Sequence, residues 1–557
     1  MCLGKQRKRP RRFGENMYKI LVTDSINVQG LQSLYEHPSI LVDKKDQLSS
    51  AELREIIGNY DALIVRSQTI VSKELIHSAH RLQIIARAGV GVDNIDVEAA
   101  TRKGIIVINA PGANTIAACE HTLAMLLSLA RRIPHAYQSM SNGEWNRNAF
   151  KGVELYEKTL GIIGMGKIGT EVAKRAKSFQ MKILGYDPYL TEERAKKLGI
   201  VKASINEIAI QSDFITVHTP LIKETRNLVN DEFLQKTKRG VRIINCARGG
   251  IIDEAALIRA IQSGHVAGAA LDVFTQEPPT NLDLLQHPNI IVTPHLGAST
   301  EEAQEKVAKE VSDEIINIFE SQTIRHAVNA PQMSGETQLK MKPYLQLGEQ
   351  LAEIAIQLLK KAPEKIDIAY YGDLVEEDTS LLTRYMVKGI LSYHLSDSVN
   401  LINAIHLLKE HGLSYNVQRN ATNKGFANYM ELVLYKGDKK VNIGATVLNG
   451  YGARIVNINN YRVDVRPEQH LLYIKHQDIP GMIGQVGSIL GSYSINIGTM
   501  QVGRAAIGGE AIMILTLDKK IEQEVTHALH SISGLEDVQI LELSYEEELS
   551  VEQALHL

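Results

Sequence analysis

The stretch that decides the fold is Thr159-Leu160-Gly161-Ile162-Ile163-Gly164-Met165-Gly166-Lys167-Ile168-Gly169. An apolar run typical of a buried strand is followed directly by glycines in the spacing GxGxxG and then by a helix-forming segment. Such glycines permit a tight turn and let the N-terminus of the helix approach a pyrophosphate closely. The next apolar run ends at Asp187, where a carboxylate can accept hydrogen bonds from ribose hydroxyls and repel a 2′-phosphate. The pattern therefore predicts an NAD site rather than an NADP site.

Short β-rich runs alternate with helical segments on both sides of this stretch, which is typical of an α/β fold. An amphipathic helix is predicted over 299–321, with Ser299 and Glu302 at the spacing of a capping box. Another helix is predicted around Pro343–Lys361. The last compact unit, from about His470 to Tyr545, has the order βαββαβ, which predicts a ferredoxin-like module.

Composition sets limits on size, partners and compartment. A chain of 557 residues is too long for one hydrophobic core, so three or four domains are expected. The formal net charge of −3 gives no general reason to expect nucleic acid or membrane as a partner. The three cysteines, Cys2, Cys119 and Cys246, show no CxxC spacing, so the sequence predicts neither a disulfide framework nor a metal site. This cysteine usage and the absence of a recognisable signal peptide favour a cytoplasmic protein.

The first 16 residues are unusually basic. A nucleic-acid-binding arm or an organelle presequence is conceivable, but a disordered tail or a misassigned start ahead of Met17 is favoured.

Three polar residues follow the ends of successive predicted strands: Arg248, Glu277 and His295. In open α/β sheets ligands bind at the carboxyl ends of the strands, so these side chains can converge there. Oxidation of a hydroxyl needs a base, which a histidine supplies near neutral pH, and a carboxylate can fix its tautomer. An arginine can grip a substrate carboxylate with two hydrogen bonds. Taken singly, each residue is as easily a loop or surface residue; together, behind a dinucleotide motif, they predict a dehydrogenase.

Several motifs resemble those of the D-2-hydroxyacid dehydrogenases, and within them the long-form phosphoglycerate dehydrogenases. They are Gly161–Gly169, Val217-His218-Thr219-Pro220, Asn245-Cys246-Ala247-Arg248-Gly249-Gly250, Leu271-Asp272-Val273-Phe274 with Glu277-Pro278, and Pro294-His295-Leu296-Gly297-Ala298. The resemblance covers nearly everything from Met17 onward. It implies Arg248, Glu277 and His295 as the catalytic residues. The cofactor residues that the motifs and the resemblance imply are Gly164, Gly166, Lys167, Ile168, Gly169, Asp187, Thr219, Cys246, Ala247, Asp272, Gly297 and Ala298.

The resemblance also implies a domain organisation. A Rossmann-type NAD-binding domain over 113–298 is expected to be inserted in a flavodoxin-like substrate-binding domain formed by 17–112 and 299–330. An α/β intervening domain over 331–465 and a ferredoxin-like ACT domain over 466–557 are expected to follow.

The residues expected to select the substrate lie in the first domain. Backbone amides at Gly89, Val90 and Gly91 can hold a carboxylate, while Arg66 and Arg87 offer positive charge to a phosphate. For any one arginine, a surface salt bridge is the plain alternative. The resemblance implies the oxidation of 3-phospho-D-glycerate with NAD, the first step of serine biosynthesis, as the expected reaction.

Regulatory residues are expected in the C-terminal third of the chain. Arg454 and Arg466 match basic positions that the resemblance links to anion effectors. His476, Asp478 and Asn496 match an amino-acid site at the seam between paired ACT domains, with L-serine as the expected effector. The resemblance thus implies a homo-oligomer, a dimer or a tetramer. A dimerisation module without a ligand is the alternative for this last domain.

Two other functions remain open at this point. An NAD-sensing regulatory or corepressor protein would keep the Arg–Glu–His set, but it would need neither a phosphate pocket nor an amino-acid sensor. A dehydrogenase of another D-2-hydroxy acid, such as glycerate or D-lactate, would not need the phosphate-binding arginines.

Overall fold

A computed structural model describes residues 17–321, 324–331, 335–395 and 398–544, and the strands of this part of the chain form four sheets. The predicted basic tail, 1–16, and the last residues, 545–557, lie outside the described residues. No helix within the described ranges is long and apolar enough to cross a membrane.

The first sheet has five parallel strands in the order β2-β1-β3-β4-β5, the order of a flavodoxin-like sheet. Its strands are β1 (Tyr18–Val22), β2 (Ile40–Lys44), β3 (Ala62–Val65), β4 (Ile84–Arg87) and β5 (Ile106–Asn109). Its helices are α1 (Gln32–Tyr35), α2 (Ser50–Ile56), α3 (Lys73–Ser78) and α4 (Val97–Arg102), with short 3₁₀ turns at Gln29–Leu31 and Ile57–Asn59. Both faces are covered by apolar side chains, which explains why these strands read as continuous hydrophobic runs.

The second sheet has seven parallel strands in the order β12-β11-β10-β9-β6-β7-β8. Its strands are β6 (Thr159–Ile163), β7 (Lys182–Tyr186), β8 (Val201–Lys202), β9 (Phe214–Val217), β10 (Val241–Asn245), β11 (Val266–Leu271) and β12 (Ile290–Val292). Its helices are α5 (Thr115–Arg131), α6 (Ile133–Ser141), α7 (Lys167–Ser178), α8 (Glu192–Leu198), α9 (Ile205–Gln211), α10 (Asp231–Lys236), α11 (Glu254–Gln262) and α12 (Leu282–Leu285), with a 3₁₀ turn at Arg147–Phe150. The strand order reverses between β6 and β9, so a crevice opens there, as in Rossmann folds.

The chain then returns to the first sheet through α13 (Glu301–Ser321). Val307, Ala308 and Val311 pack into the same core as the strands β1 and β3, and Phe319 stacks on Tyr18 at 4.0 Å. The predicted capping box is wrong by one residue: the Oγ1 of Thr300, and not Ser299, accepts from the N3 amide of Ala303. Ser299 instead donates its own amide to the carbonyl of Leu296 in the preceding turn, so the helix begins at Glu301, two residues after the predicted start.

The third sheet is mixed, in the order β14-β13-β15-β16-β17-β18. Its strands are β13 (Lys365–Gly372), β14 (Ser414–Asn420), β15 (Asn428–Lys436), β16 (Lys439–Leu448), β17 (Gly452–Ile458) and β18 (Tyr461–Val465). Its helices are α14 (Gly335–Leu359), α15 (Ser380–Leu395) and α16 (Ala404–Glu410), with a 3₁₀ turn at Asp373–Val375. The helix predicted to start at Pro343 starts eight residues earlier, and Pro343 lies inside it. The buried neighbours Met341 and Leu345 hold this segment in the core, which offsets the amide that proline lacks.

The fourth sheet is antiparallel, in the order β20-β21-β19-β22, as expected for a ferredoxin-like module. Its elements are β19 (His470–Gln477), α17 (Met482–Ser492), β20 (Ile497–Arg504), β21 (Glu510–Leu517), α18 (Gln523–His530) and β22 (Leu535–Glu542). The fold class is thus confirmed, whereas the domain boundaries given above stay predictions.

Candidate active site

The strand ends of the first two sheets open on one cleft of about 670 Å³. The first sheet contributes Arg66 after β3 and Arg87 at the end of β4. The second sheet contributes the three predicted catalytic residues, which also line this cleft: Arg248, Glu277 and His295. Gly89, Val90, Gly91 and Ala298 complete this part of the lining. The substrate-selecting and catalytic residues predicted from sequence therefore share one cavity.

His295 and Glu277 form a hydrogen-bonded pair at the mouth of this cleft. The Nδ1 of His295 lies 2.8 Å from the Oε2 of Glu277, and the other carboxylate oxygen, Oε1, accepts from the amide of Phe274 at 3.1 Å. Burial raises the pKa of the Glu277 carboxyl, but the hydrogen bond from His295 and the charge of that ring outweigh it and leave the pKa below its usual value. An ionised Glu277 keeps the Nδ1 proton in place and leaves the Nε2 of His295 free to accept a proton.

Arg248 faces this pair from the end of β10. Its Nε donates to Asp93 at 3.1 Å, and its Nη1 donates to the carbonyl of Ala247 at 2.6 Å. A Cβ on Gly91 would lie 2.1 Å from the Nη2 of Arg248, so only glycine lets the guanidinium approach this loop. The arginine is thus held between the two sheets, beside the amides that can bind an anion.

Arg66 and Arg87 make the first-sheet side of the cleft strongly positive. Burial, and then the nearby charges of Arg248 and Arg66, lower the pKa of the Arg87 guanidinium to about 10. Asn94 ties the two arginines together, since its Oδ1 accepts from the Nε of Arg87 and its Nδ2 donates to the carbonyl of Arg66. The charges of Arg66 and Arg248 disfavour the charged form of Arg87, so a cavity lined by these three guanidinium groups is suited to a ligand with more than one negative charge.

The glycine loop after β6 fits a dinucleotide. Gly164 has φ +103°, and a Cβ there would lie 2.5 Å from the carbonyl oxygen of His218. A Cβ on Gly169 would lie 2.0 Å from the carbonyl oxygen of Gly164, so the first turn of α7 can pack this closely against the loop only if residue 169 is glycine. Gly166, by contrast, faces open space and precedes Lys167 at the exposed start of α7. Its backbone is therefore accessible to a pyrophosphate.

Asp187 directly follows β7 and lies beside this loop. Its Oδ2 accepts from the amide of Met165 at 3.0 Å and its Oδ1 from the amide of Tyr189 at 2.9 Å, which leaves acceptor capacity on both oxygens. Across the crevice, the hydroxyl oxygen of Thr219 is buried without a hydrogen-bond partner among the described residues. A bound nicotinamide cofactor would supply polar groups to both, so the cradle fits NAD.

The remaining predicted cofactor residues lie deeper in the second sheet. Burial raises the pKa of the Cys246 thiol to about 12, so this side chain stays neutral and unreactive. The amide of Ala247 donates to Asn245, and the buried carboxylate of Asp272 accepts from the amide of Gly297. Ile168, half-buried in the first turn of α7, packs against the apolar core beneath the loop.

Sequence reasoning missed several residues that hold the cleft together. Asp24 follows β1 and accepts from the amide of Arg66 at 2.5 Å, so the strand-end rule would have found it. Asp93 and Asn94 lie just after the predicted Gly89–Gly91 segment, but no role was predicted for them from the sequence. His121, which contacts Asp272, lies inside a helix, where no local pattern marks it.

The predicted regulatory residues do not all meet within one chain. His476 and Asp478 lie at the end of β19, whereas Asn496 precedes β20 and donates to Asp518 at 2.8 Å. His476 pairs with Ala511 on β21 and Ile497 pairs with Leu517, which places Asn496 roughly 20 Å away along the sheet.

The basic pair of the third sheet is closer together. Arg454 and Arg466 flank the paired residues Ile455 and Val465 at one end of the β17–β18 ladder. Arg454 is engaged there by Asp464 at 3.2 Å.

Comparison with known families agrees with this geometry. A family described as the NAD binding domain of D-isomer specific 2-hydroxyacid dehydrogenases matches residues 123–297. The D-3-phosphoglycerate dehydrogenase intervening domain matches 340–459, and the ACT domain matches 470–534. The second sheet thus belongs to an NAD-dependent oxidoreductase of the 2-hydroxyacid class.

Whole-chain relatives are more specific. The D-3-phosphoglycerate dehydrogenase of Bacillus subtilis (strain 168) is 45% identical over 527 residues, which cover 95% of this chain and 100% of that protein. The D-3-phosphoglycerate dehydrogenase of Methanocaldococcus jannaschii is 43% identical over 528 residues, with 95% and 100% covered. The chain belongs to the D-3-phosphoglycerate dehydrogenase family, which confirms the resemblance found in the motifs.

Solved structures match a little more than half of the chain. A protein from Thermus thermophilus aligns with a TM-score of 0.52 at 34% identity, covering 56% of this chain and 99% of that one. The D-lactate dehydrogenase of Aquifex aeolicus, solved with NAD and lactic acid, aligns with a TM-score of 0.50 at 29% identity, covering 56% and 100%. NAD as the cofactor is thereby confirmed.

Proposed function

We propose that this enzyme oxidises 3-phospho-D-glycerate to 3-phosphooxypyruvate with NAD, the first step of serine biosynthesis. One observation carries the proposal: Arg66, Arg87 and Arg248 line the same cleft as the His295–Glu277 pair. A 2-hydroxy acid needs only one cation for its carboxylate, and the two further arginines match the charge of a phosphate.

The roles follow from the contacts. Arg248, held by Asp93, is placed to bind the substrate carboxylate and to polarise the developing carbonyl. Arg66 and Arg87 hold the phosphate, and the amides of Val90 and Gly91 support the carboxylate, since the amide of Gly89 donates to the carbonyl of Arg87.

Proton transfer falls to His295. Its Nδ1–H is held by Glu277, so its Nε2 takes the proton of the C2 hydroxyl, and Glu277 stabilises the imidazolium that forms. When bound, NAD supplies the acceptor for the hydride that leaves C2. The products are the 2-oxo acid, NADH and one proton, which His295 releases to solvent.

Asp187 selects the cofactor in this proposal. Its carboxylate lies just after β7, next to the glycine loop, and has acceptor capacity for the ribose hydroxyls, whereas the 2′-phosphate of NADP would meet its negative charge.

A direct comparison of substrates tests the proposal. Steady-state oxidation with NAD should favour 3-phosphoglycerate over D-glycerate and D-lactate in kcat/KM. Equal kcat/KM for phosphorylated and unphosphorylated acids would mean that the arginines bind something else.

We further propose that the enzyme works as a homo-oligomer with L-serine as effector of its ACT domain. An apolar patch supports a subunit contact: Ile133, Tyr137 and Trp145 expose 52%, 74% and 77% of their surface in and after α6. His476 and Asn496 can share one ligand only if two chains pair, because they lie at opposite ends of one sheet. The cytoplasmic location and the anion role of Arg454 and Arg466 stay predictions.

A further inference from the structure

One histidine contacts the active-site loop although none of the proposed roles uses it. His121 lies on α5, and its Nε2 is 3.1 Å from the Oδ1 of Asp272 and 3.3 Å from the Oγ1 of Thr293. Its side chain is only 18% exposed. The contact joins a helix of the second sheet to the loop that follows β12.

Asp272 is the centre of this contact. It is fully buried and accepts from the hydroxyl of Thr293 at 2.6 Å, the amide of Leu296 at 2.7 Å and the amide of Gly297 at 2.9 Å. Burial raises the pKa of the Asp272 carboxyl, but the hydrogen bonds from His121, Thr293 and Leu296 outweigh it and leave the pKa below its usual value. A buried carboxylate stays ionised only while its donors are in place, so each donor matters here.

The same carboxylate fixes the backbone around His295. The two amides that it binds belong to the residues directly after His295, which itself has φ +56°. A histidine in the left-handed region is held there by its surroundings rather than by its own preference. Glu277 holds the ring of His295, and Asp272 holds the backbone that carries it.

We propose that His121 is a positioning residue for the reaction: its bond to Asp272 fixes the loop in which His295 takes the substrate proton. The inference rests on the proposed function, since it presumes that His295 is the base. Without His121, Asp272 keeps three donors, so the loop stays folded but its geometry loosens. A base displaced by a fraction of an ångström slows the chemical step and leaves the binding of NAD and substrate largely intact.

Three variants test this role. His121→Leu removes the donor, and His121→Gln keeps an N–H at nearly the same reach. His265→Leu is the matched control, because His265 is also half-buried in the second sheet's domain but bonds Thr237 instead of Asp272. Each variant is assayed for kcat and for both KM values, and amide hydrogen exchange of residues 293–299 is followed without ligands.

We expect His121→Leu to lower kcat about tenfold or more, with both KM values within about twofold of wild type. His121→Gln should recover most of the lost kcat. The amides of Leu296 and Gly297 should exchange faster than in wild type only in His121→Leu, and not in the other two variants. Unchanged kcat and exchange would overturn the proposal, as would a rise in KM without a fall in kcat. A fall in kcat that glutamine does not rescue, with normal exchange, would reduce His121 to a packing residue.

The exchange measurement separates this inference from the proposed function. If wild-type enzyme does not oxidise 3-phosphoglycerate, the proposed function fails. Faster exchange at Leu296 and Gly297 would still show that His121 fixes the loop, and unchanged exchange would refute it.

Discussion

Two regions were each predicted to bring polar residues together in one site: the cleft between the first and second sheets, and the fourth sheet. Only the cleft brings its residues together within one chain. In the cleft, His295 reaches Glu277 at 2.8 Å and Arg248 reaches Asp93 at 3.1 Å. In the last sheet, His476 and Asn496 lie at opposite ends. The difference follows from strand direction: parallel strands bring all their carboxyl ends to one edge of a sheet. β19 and β20 run in the same direction on either side of β21, so the end of β19 and the start of β20 lie at opposite edges.

The largest effect is expected in the cleft, where the first prediction tests His295 as the base. His295→Asn removes the base but keeps a polar side chain of similar size, so kcat should fall roughly 10²–10⁴-fold. NADH affinity, measured by fluorescence titration, should stay near that of wild type, because the glycine loop and Asp187 follow other strands, β6 and β7. Near-normal turnover would take His295 out of the mechanism.

A smaller effect is expected on the phosphate side of the cleft. Arg66→Ala removes one charge-assisted contact worth about 1.5–3 kcal/mol, which corresponds to roughly 10–150-fold in kcat/KM for 3-phosphoglycerate. The unphosphorylated D-glycerate serves as the internal control and should be affected far less. Equal losses with both acids would place the phosphate elsewhere.

Cofactor choice should change by about one order of magnitude. Asp187→Ala removes a ribose acceptor worth roughly 1–1.5 kcal/mol, or about tenfold in NAD affinity, and also the charge that repels a 2′-phosphate. Titrations with NADH and NADPH should therefore show weaker NAD binding and reduced discrimination. Unchanged affinities for both cofactors would show that Asp187 does not contact the ribose.

The smallest expected effect concerns the fourth sheet, where a complementation test measures the fraction of serine sites that a mixed dimer recovers. His476→Ala and Asn496→Ala should each abolish serine binding in calorimetry of the full chain, if each site uses His476 of one chain and Asn496 of the other. When the two variants are co-assembled, a mixed dimer should recover one of its two serine sites, because that site has the wild-type His476 of one chain and the wild-type Asn496 of the other. Failure to recover any binding, while wild type binds serine, would contradict a site shared between chains.

Much of the cleft was predictable because its residues obey a local rule. Arg66, Arg248 and His295 each follow a strand, and the glycine spacing marks β6 and α7 without any tertiary knowledge. Asp24 obeys the same rule and was overlooked. His121 and Asp93 could not be found in this way, since what places them is the packing of elements that are distant in sequence.

The boundaries of two helices depended on a competition between local sequence preference and tertiary contacts. Thr300 rather than Ser299 caps α13, since the turn after His295 still includes Ser299, whose amide donates to the carbonyl of Leu296. α14 runs through Pro343 because its apolar face is buried on both sides of the proline. In both places tertiary contacts override a local preference that the sequence pattern alone suggests.

The central claim is that the cleft transfers a hydride from C2 of 3-phosphoglycerate to NAD, and isotope transfer tests it most directly. Wild-type enzyme is mixed with NAD and 3-phospho-D-glycerate carrying deuterium at C2, and the reduced cofactor is examined by NMR or mass spectrometry. The cleft as described predicts that the deuterium appears at C4 of the nicotinamide, with 3-phosphooxypyruvate formed in equal amount. Release of the deuterium to solvent, or no reduction of NAD under conditions where the cofactor binds, would contradict it.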